Sequence, residues 1–393
     1  MMLDWFQFNP WITIAVAAML VAVLVQCWLY LRYFSGINHQ SRRVRKGTIS
    51  YSEDQPPVSI IICARDKGEV LAKNLPALFD QKYPEFQIVV VNDASSDETE
   101  DILQQFERRP NFYHTFVPKG VRSISARKMA MTLGLKAAVY DYVLFMDVAG
   151  IPESDAWIAT MMRNVDWRGS VVLGFASFKD KKGFRNQLVA YDNLFSTMQW
   201  MGLALSGKPY RATSANLAFK KELFFKNNGF ASNLSLRSGD DDLLIGEIAT
   251  RNNVKIDVST ESKVLIETRS PWYDWKEKTF SHFSTARQYK FGIKLLLWLE
   301  NLTRSLCYLL FLYLIVMCWL SGSYAWLLVS ALLFLTRYAV QLVVVNKSAS
   351  QLKEPHFYLL LPFFDASLPV VRGFMRLFNR SRRHNNYTWE VLR

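Results

Sequence analysis

Three segments of the sequence carry carboxylates whose type and spacing could bind a cation or accept a proton. Asp93 lies in a polar segment after an apolar run, Asp147 directly follows Tyr142–Met146, and Asp240–Asp242 are three adjacent aspartates. Carboxylate oxygens are good ligands for hard cations such as Mg²⁺, and phosphate oxygens often share the metal. Adjacent carboxylates repel one another, which can raise the pKa of one of them towards a range that suits a general base. These residues indicate acid–base or metal-assisted chemistry, provided that the fold brings them together.

Each of these residues also has a purely structural explanation. Aspartate is common in turns, which would account for Asp93 and Asp147. Ser96 or Asp97 could cap the next helix, and one member of Asp240–Asp242 could cap another. Which explanation applies depends on where the strands and helices place these residues.

A strand–helix–strand pattern supplies the first of those elements. The runs Val58–Ala64 and Phe86–Asn92 are apolar and rich in β-branched residues, as expected of parallel strands buried on both faces. A helical stretch from Glu69 to Gln81, kinked at Pro76, connects them. Because such a crossover returns the chain to the same sheet with a right-handed turn, the two strands are predicted to be parallel.

Two weaker strands follow, at Phe112–Phe116 and Tyr142–Met146, with a predicted helix over Ser123–Val139 between them. The sequence therefore predicts an α/β domain with a doubly wound, mainly parallel sheet. Ligands of such domains bind at the carboxyl ends of the strands, and this is where Asp93 and Asp147 fall.

Composition and missing motifs narrow the function classes. Lys and Arg total 47 against 34 Asp and Glu, and the net charge of +13 suits a nucleic acid, a phosphorylated substrate or a membrane surface. The first strand is followed by Ala64-Arg65-Asp66-Lys67-Gly68 instead of G-x-G-x-x-G, and no Walker A sequence occurs, which argues against dinucleotide enzymes and P-loop ATPases. The 4 cysteines and 5 histidines are scattered, so neither a disulfide framework nor a zinc site is expected.

Apolar segments near both ends predict membrane spans. Trp11–Leu31 carries no charge, is long enough to cross a bilayer, and is followed by basic residues, as expected of an uncleaved anchor rather than a secretory signal peptide. Two further runs, Ser305–Gly322 and Tyr324–Val345, are separated by a tight turn and predict a hairpin. The positive-inside rule then puts the region that begins at Arg32 in the cytoplasm.

The remaining residues of the C-terminal part have less regular patterns. Residues 291–304 predict an amphipathic helix on the membrane surface, and Arg337 is expected to extend its guanidinium to the interface. Phe357–Val371 contains two prolines and Asp365, which favours an interfacial or re-entrant segment. The predicted organisation is an anchor, a basic linker, an α/β domain, an interfacial helix, a transmembrane hairpin and an interfacial segment with a basic tail, at residues 1–34, 35–57, 58–290, 291–304, 305–345 and 346–393.

Taken in order, the motifs resemble those of the membrane-bound, inverting glycosyltransferases of family 2. The likeness rests on Val58–Ala64, the segment Val91–Thr99 (VNDASSDET), Asp147 after a strand, and the Gly-Asp-Asp-Asp sequence, and it covers about residues 57–289. It implies a Rossmann-like GT-A domain that moves a sugar from a UDP- or GDP-linked donor to a lipid or glycan acceptor. It also implies an integral membrane protein of a bacterial inner membrane, with a cytoplasmic catalytic domain and without a nucleic-acid partner.

The resemblance further implies roles for individual residues at the donor site. Ala64 and Asp93 would contact the donor nucleotide, Lys128 its base or diphosphate, and Asn216 the transferred sugar. Asp147 would bind a divalent cation, Mg²⁺ or Mn²⁺, on the diphosphate.

On the acceptor side, the resemblance implies that Asp241 is the general base. It would deprotonate the acceptor hydroxyl in a single displacement that inverts the anomeric configuration. His282 and Arg287 are candidates for contacts with the diphosphate or the acceptor.

Two departures from the family pattern leave alternatives open. Ala149 stands where D-x-D has its second aspartate, so one expected carboxylate remains for the metal; Mg²⁺ often uses only one or two. The Q-x-x-R-W signature of processive synthases is absent, which disfavours a long polymer channel. Ala149 is also compatible with an inactive, nucleotide-binding scaffold protein. A transporter or channel would explain the spans but not the acidic motifs.

Overall fold

The computed structural model describes residues 9–118, 125–166 and 171–385. They fall into two compact units, which are treated separately below. The first, here called the α/β unit, comprises residues 36–289 and 351–354, and the second, the apolar unit, comprises residues 9–35, 290–350 and 355–385.

The α-helices and strands are numbered along the chain. The helices are α1 (Pro10–Leu29), α2 (Gly36–Arg45), α3 (Gly68–Asn74), α4 (Pro76–Phe79), α5 (Thr99–Phe106), α6 (Ala126–Ala137), α7 (Trp157–Met162), α8 (Phe184–Leu205), α9 (Lys221–Lys226), α10 (Asp242–Ile248), α11 (Pro271–Thr285), α12 (Phe291–Ser321), α13 (Tyr324–Gln351) and α14 (Leu360–Asn385). The strands are β1 (Val58–Ala64), β2 (Phe86–Asn92), β3 (Phe112–Phe116), β4 (Tyr142–Met146), β5 (Gly150–Pro152), β6 (Val171–Leu173), β7 (Ala176–Phe178), β8 (Asn216–Lys220), β9 (Val254–Ile256) and β10 (Val264–Ile266).

A 7-stranded sheet in the order β3-β2-β1-β4-β8-β6-β9 forms the centre of the α/β unit. β1 is parallel to β2 and β4, β2 is parallel to β3, and β8 runs antiparallel to β4 and β6. A second, 3-stranded sheet has the order β5-β10-β7, in which β10 is antiparallel to β5 and parallel to β7. The prediction of an α/β domain with a mainly parallel sheet is confirmed, and β1 to β4 have the predicted bounds.

The β-branched runs form strands β1 and β2. Their side chains are buried because helices cover both faces of the sheet there. Ile60, Ile61 and Val90 have no exposed surface, as expected for strands buried on both sides. Helix α6 packs closest at Gly134, where an added Cβ would lie 2.5 Å from the Ile61 side chain. Only glycine allows this approach, because any side chain would overlap Ile61. The contact fixes which face of α6 meets the sheet.

The predicted helix Glu69–Gln81 consists of two helices, α3 and α4, which meet at the proline that was expected to kink it. The segment expected as a basic linker, residues 35–57, differs from the prediction, because its first part is the helix α2. Gly36 approaches α8 so closely that an added Cβ would lie 2.8 Å from the Gly202 Cα. Helix α2 therefore packs on α8 within the α/β unit, and residues 46–57 form neither helix nor strand.

The apolar unit contains α1, a π-helical turn at Tyr30–Phe34, and α12, α13 and α14. Within the described part of the chain, three helical segments are long and apolar enough to cross a membrane: Pro10–Arg45, Phe291–Ser321 and Tyr324–Gln351. α12 is continuous, so residues 291–304 are not a separate helix, and Pro369 lies inside the continuous helix α14.

The expectation that Arg337 reaches the membrane interface is wrong. Its side chain is 1% exposed and donates a hydrogen bond of 2.6 Å to Asp365 on α14 and one of 3.0 Å to Gln341. A charged group that is paired inside the protein needs no contact with water, which removes the reason for it to extend outwards.

Candidate active site

The loops after β1 and β2 are joined by hydrogen bonds at the carboxyl ends of the strands. Asp93 N–H donates to the Ala64 carbonyl at 2.8 Å, and Ser96 N–H donates to the Asp66 carboxylate at 2.7 Å. Asp97 accepts from the Gly68 N–H at 3.0 Å. Asp97 thus joins the two loops, which extends the capping role that its position suggested.

The Asp93 carboxyl group lies in this joined region and is 8% exposed. Burial raises its pKa, while the guanidinium groups of Arg65 and Arg127 oppose that rise. Ala64, expected to contact the donor, is fully buried, so only its main chain takes part in the site, through the bond to Asp93.

Asp147 follows β4 and faces a cavity of about 30 Å³, which is also lined by Cys63, Arg127 and Ser214. One carboxylate oxygen accepts a hydrogen bond of 2.9 Å from the Ala149 N–H. Among the described residues, no Lys or Arg nitrogen lies within 4.0 Å of the Asp147 carboxylate. This carboxylate therefore fits a divalent cation, whereas the Ala149 methyl group offers no ligand.

The three adjacent aspartates have three different environments. Gly239, with a φ of 103°, turns the chain immediately before them, a conformation that favours glycine. Asp240 accepts a hydrogen bond of 2.6 Å from Arg127 Nε. Asp241 is the N-cap of α10, where its side chain accepts from the Asp242 N–H at 2.8 Å.

The Asp241 carboxyl group has the properties expected of a general base. It is 8% exposed. Burial and then the charge of Asp240 raise its pKa, against the opposing charges of His282 and Lys278. A carboxylate with a raised pKa binds a proton more readily near neutral pH, as proton abstraction from a hydroxyl requires.

Asp242 is the most buried of the three and is held by side chains of α11 and the turn after it. It accepts hydrogen bonds from Thr285 and, at 2.6 Å, from Tyr289, and His282 Nδ1 lies 3.6 Å away. Burial alone would raise its pKa, but these hydrogen bonds and the neighbouring His282 hold it well below the ordinary value. Asp242 therefore anchors the start of α10 and is not a solvated neighbour of Asp241.

His282 lies in the site, as expected, but its ring nitrogens face protein groups. Nε2 is 2.7 Å from Arg211 Nη2, and a guanidinium can only donate, so Nε2 accepts and Nδ1 carries the hydrogen. Burial and the charge of Arg211 lower the pKa of His282, which keeps the ring neutral at pH 7. Arg287, the other candidate for diphosphate or acceptor contacts, has an exposed side chain.

Asp241, Asp242 and His282 form a cluster whose ligand atoms lie within 4.8 Å of one another, close enough to hold a cation. Asp242 is already bonded to Thr285 and Tyr289, and a cation here would have to replace those contacts. Because the Asp242 oxygens already accept hydrogen bonds, Asp147 is the more suitable carboxylate to bind a metal ion.

Lys128 does not face the site, contrary to the prediction. Its ammonium group donates to the carbonyls of Asn233 at 2.6 Å and Leu236 at 2.9 Å, and the residue is 1% exposed. Burial lowers its pKa to about 8. Lys128 fastens the 233–236 loop to α6 through two of the three donor hydrogens of its ammonium group.

The basic residue that faces the site is the preceding one, Arg127. Because consecutive residues of a helix point about 100° apart, only one of the pair can lie over the sheet. Arg127 precedes Gly134 by two turns and shares its face, together with Met131, which lines the same cavity. The close approach of Gly134 to Ile61 shows which face of α6 lies on the sheet, and Arg127 is on that face. This approach is visible only in the packed structure, so the sequence alone did not identify Arg127.

Asn216 is also not available to a donor. It is fully buried, its amide group donates to the carbonyls of Phe175 at 2.9 Å and Ser262 at 2.6 Å, and its oxygen accepts from Trp157 Nε1 at 3.1 Å. With its hydrogen-bonding groups used inside the core, Asn216 joins β8 to neighbouring segments. The expected contact with the transferred sugar is therefore not made.

A second basic residue, Lys278 on α11, was not predicted either. Its ammonium group donates to Thr213 at 3.1 Å, and burial lowers its pKa, while the charges of Asp241 and Asp147 raise it. Lys278 is thus a second basic side chain that interacts electrostatically with both carboxylates.

The segment that contains β1 to β8 matches a known family. The model of Glycosyl transferase family 2 aligns with residues 59–224. The α/β unit contains a family 2 glycosyl transferase domain.

Curated relatives and a solved structure are similar to parts of this chain. "Probable glycosyltransferase YdaM" of Bacillus subtilis (strain 168) is 24% identical over 185 residues, which is 45% of this chain and 44% of that protein. Poly-beta-1,6-N-acetyl-D-glucosamine synthase of Staphylococcus epidermidis is 30% identical over 99 residues, 25% of this chain and 23% of the synthase. The chain thus matches less than half the length of these relatives.

A mannosyltransferase of Pyrobaculum calidifontis, solved with GDP-Man and Mn²⁺, superposes with a TM-score of 0.52 at 16% identity, covering 85% of this chain and 99% of that one. This likeness concerns the fold of the family 2 domain, and it confirms the predicted Rossmann-like GT-A architecture with apolar helices outside it.

Proposed function

We propose that this protein transfers a sugar from a nucleotide-sugar donor to an acceptor hydroxyl, with inversion at the anomeric carbon. The observation that carries the proposal is that Arg127, which donates a hydrogen bond of 2.6 Å to Asp240, lines the same cavity as Asp147 and interacts electrostatically with the other predicted carboxylates. Arg127 lowers the pKa of Asp93. The pKa of Arg127 itself is raised by Asp240, against the effect of burial, and by Asp147 and Asp241. Residues from three separate segments therefore act on one cleft.

In this proposal the donor binds at the carboxyl ends of β1, β2 and β4. Asp93 accepts hydrogen bonds from the nucleoside, as its place after β2 suggests. Arg127 and Lys278 offset the charge of the diphosphate, which accumulates as the bond to the sugar breaks. Asp147 holds Mg²⁺ or Mn²⁺, and a bound divalent cation would supply charge neutralisation at the phosphate oxygens.

Asp241 removes the proton from the acceptor hydroxyl as that oxygen attacks the anomeric carbon opposite the nucleotide. The new bond forms to the acceptor oxygen, the bond to the nucleoside diphosphate breaks, and the diphosphate leaves with the bonding electrons. One displacement inverts the configuration, and no covalent intermediate with a carboxylate is involved.

We infer that the donor carries UDP or GDP and that the acceptor is a membrane-associated lipid or a cell-surface glycan. The name of the staphylococcal relative, a poly-β-1,6-N-acetylglucosamine synthase, and the GDP-Man in the solved mannosyltransferase support these classes. The three apolar helical segments support an integral membrane protein, for which we propose a bacterial inner membrane with the family 2 domain in the cytoplasm.

The test is a screen of UDP- and GDP-sugars for hydrolysis and transfer, with the full chain purified in detergent. Turnover of an α-linked donor to a β-linked product supports the proposal, whereas an α product would refute inversion. Nucleotide binding without turnover of any donor would favour the inactive scaffold, for which the absence of a ligand at Ala149 is the one favourable observation.

A further inference from the structure

Arg127 lies across the mouth of the proposed donor site and joins two segments that are remote in the sequence. Its Nε donates to Asp240 at 2.6 Å, and its Nη2 donates to Ser214 Oγ at 2.8 Å. Asp240 belongs to the loop before α10, and Ser214 to the segment before β8. The guanidinium therefore closes the space between α6 and these two segments.

The cavity behind this guanidinium is too small for a nucleoside diphosphate. It measures about 30 Å³, and Arg127, Asp147 and Ser214 are among its walls. A cavity of this size has room for about two or three water molecules, whereas sites for small ligands typically measure about 300–1,000 Å³. Because Arg127 forms part of the wall beside Asp147, a diphosphate that binds at Asp147 comes within reach of the Arg127 guanidinium.

The two partners of the ion pair differ in their freedom to move. The Arg127 side chain is 48% exposed, while that of Asp240 is 12% exposed. An ion pair with one partner this exposed is weak, and a guanidinium binds phosphate oxygens in a bidentate manner. A diphosphate with two negative charges can therefore take Arg127 away from Asp240, while Asp240 stays in place.

We propose that Asp240 is a positioning residue that holds Arg127 in a closed position, and that a nucleoside diphosphate opens the site by exchanging Asp240 for its own phosphate oxygens on Arg127. This inference rests on the proposed function and deepens it. Asp240 competes with the donor for one guanidinium, so it weakens donor binding. The exchange also leaves the Asp240 carboxylate uncompensated beside Asp241, which strengthens the base only once the donor is bound.

The experiment measures the affinity of UDP and GDP, each with Mg²⁺, for the full chain in detergent by calorimetry. For whichever nucleotide binds, Asp240→Asn should tighten binding, by about 1.5-fold to fivefold if the pair has the strength of a half-exposed ion pair. Ser214→Ala removes the second acceptor and should tighten binding by a smaller factor. It provides a second measurement if Asp240→Asn does not fold.

A double variant separates competition for Arg127 from a general effect of charge in the cleft. In an Arg127→Met background, the competition predicts that adding Asp240→Asn no longer changes the affinity. If Asp240→Asn still tightens binding there, only its charge matters and the inference is wrong. It is also wrong if Asp240→Asn alone leaves the affinity unchanged or weakens it, since Asp240 would then hold Arg127 ready for the diphosphate.

The kinetic constants provide an independent reading of the same competition. Asp240→Asn should lower the KM for the donor relative to the wild type, whereas a residue that merely supports the fold would change the melting temperature and leave KM unaltered. If neither the wild type nor any variant binds UDP or GDP, the proposed function and this inference both fail. If the wild type binds and Asp240→Asn does not bind more tightly, only the inference fails.

Discussion

The Arg337 guanidinium donates a hydrogen bond of 2.6 Å to the Asp365 carboxylate, and both side chains are almost completely buried. The two residues lie on α13 and α14, and Arg304 of α12 is 3.7 Å from the second oxygen of the same carboxylate. One carboxylate thus contacts guanidinium groups of two other helices. Contacts between apolar side chains alone would leave the position of α14 less defined.

We expect removal of one partner of this pair to destabilise the apolar unit strongly. Asp365→Leu leaves two buried guanidinium groups without their common carboxylate, and breaking a buried pair in this way typically costs about 3–5 kcal/mol. The melting temperature in detergent should fall. Arg337→Leu combined with Asp365→Leu should recover part of the loss, because fewer uncompensated charges remain.

The control is Thr336→Ala, at an exposed position of the same helix, which should leave the melting temperature nearly unchanged. An Asp365→Leu variant as stable as the wild type would contradict a stabilising role for the pair.

Neighbouring basic residues of α6 should respond in opposite ways to the same substitution. Lys128→Met leaves the carbonyls of Asn233 and Leu236 without their donor, which we expect to cost about 1–3 kcal/mol without changing the affinity for UDP or GDP. Arg127→Met should weaken nucleotide binding and change the melting temperature less. Measuring melting curves and calorimetric affinities for both variants distinguishes the roles. Weaker nucleotide binding by Lys128→Met would show that Lys128 does act at the donor site.

Metal-dependent nucleotide binding should depend on Asp147. Asp147→Asn should reduce the affinity for UDP or GDP with Mn²⁺ or Mg²⁺ by at least about tenfold, since the loss even of an outer partner of a metal ligand typically costs 10- to 100-fold. Ala149 offers no second carboxylate to compensate. Asp155→Asn is the matched control, because Asp155 forms a surface pair with Lys82. Equal affinity of Asp147→Asn and the wild type, together with activity that EDTA does not affect, would exclude Asp147 as a ligand.

The rate of transfer should depend on the ionisation of Asp241. Asp241→Asn should leave nucleotide binding nearly intact and lower kcat by about 10²- to 10⁴-fold, equivalent to roughly 3–5 kcal/mol. Because the pKa of Asp241 is raised by burial and by Asp240, the wild-type rate should fall with decreasing pH at a higher pH than for an ordinary aspartate. In Asp240→Asn one of these causes is removed, so the acid limb should move to lower pH.

The measurement is kcat against pH for the wild type and the Asn variants at the three aspartates. Asp242→Asn disturbs the contacts with Thr285 and Tyr289 and should therefore lower the melting temperature, which Asp241→Asn should not. A fully active Asp241→Asn would show that the base lies elsewhere.

The proposed topology predicts opposite locations for two points of the chain. A reporter fused after Tyr51 should signal the cytoplasm, and one inserted within Ser321–Ser323, at the turn between α12 and α13, should signal the opposite side. The basic residues that follow the first span are the physical reason. Signals from the same side would contradict the arrangement of spans.

The sequence by itself determined the strands of the sheet and the positions of the acidic residues. Val58–Ala64 and Phe86–Asn92 are apolar on both faces, and this local pattern has few other solutions. The order of the strands then placed Asp93 and Asp147 at one edge, because carboxyl ends of parallel strands meet there. These inferences needed only near neighbours in the chain.

The tertiary structure alone decided which polar side chains face the cleft. Arg127 and Asp240 are separated by 113 positions, and no local pattern shows that they meet or that Lys128 binds loop carbonyls instead. Arg337 could be assigned to Asp365 only once α13 and α14 lay side by side. A side chain's role depends on the face of its element and on partners remote in sequence, and both are fixed when the elements pack.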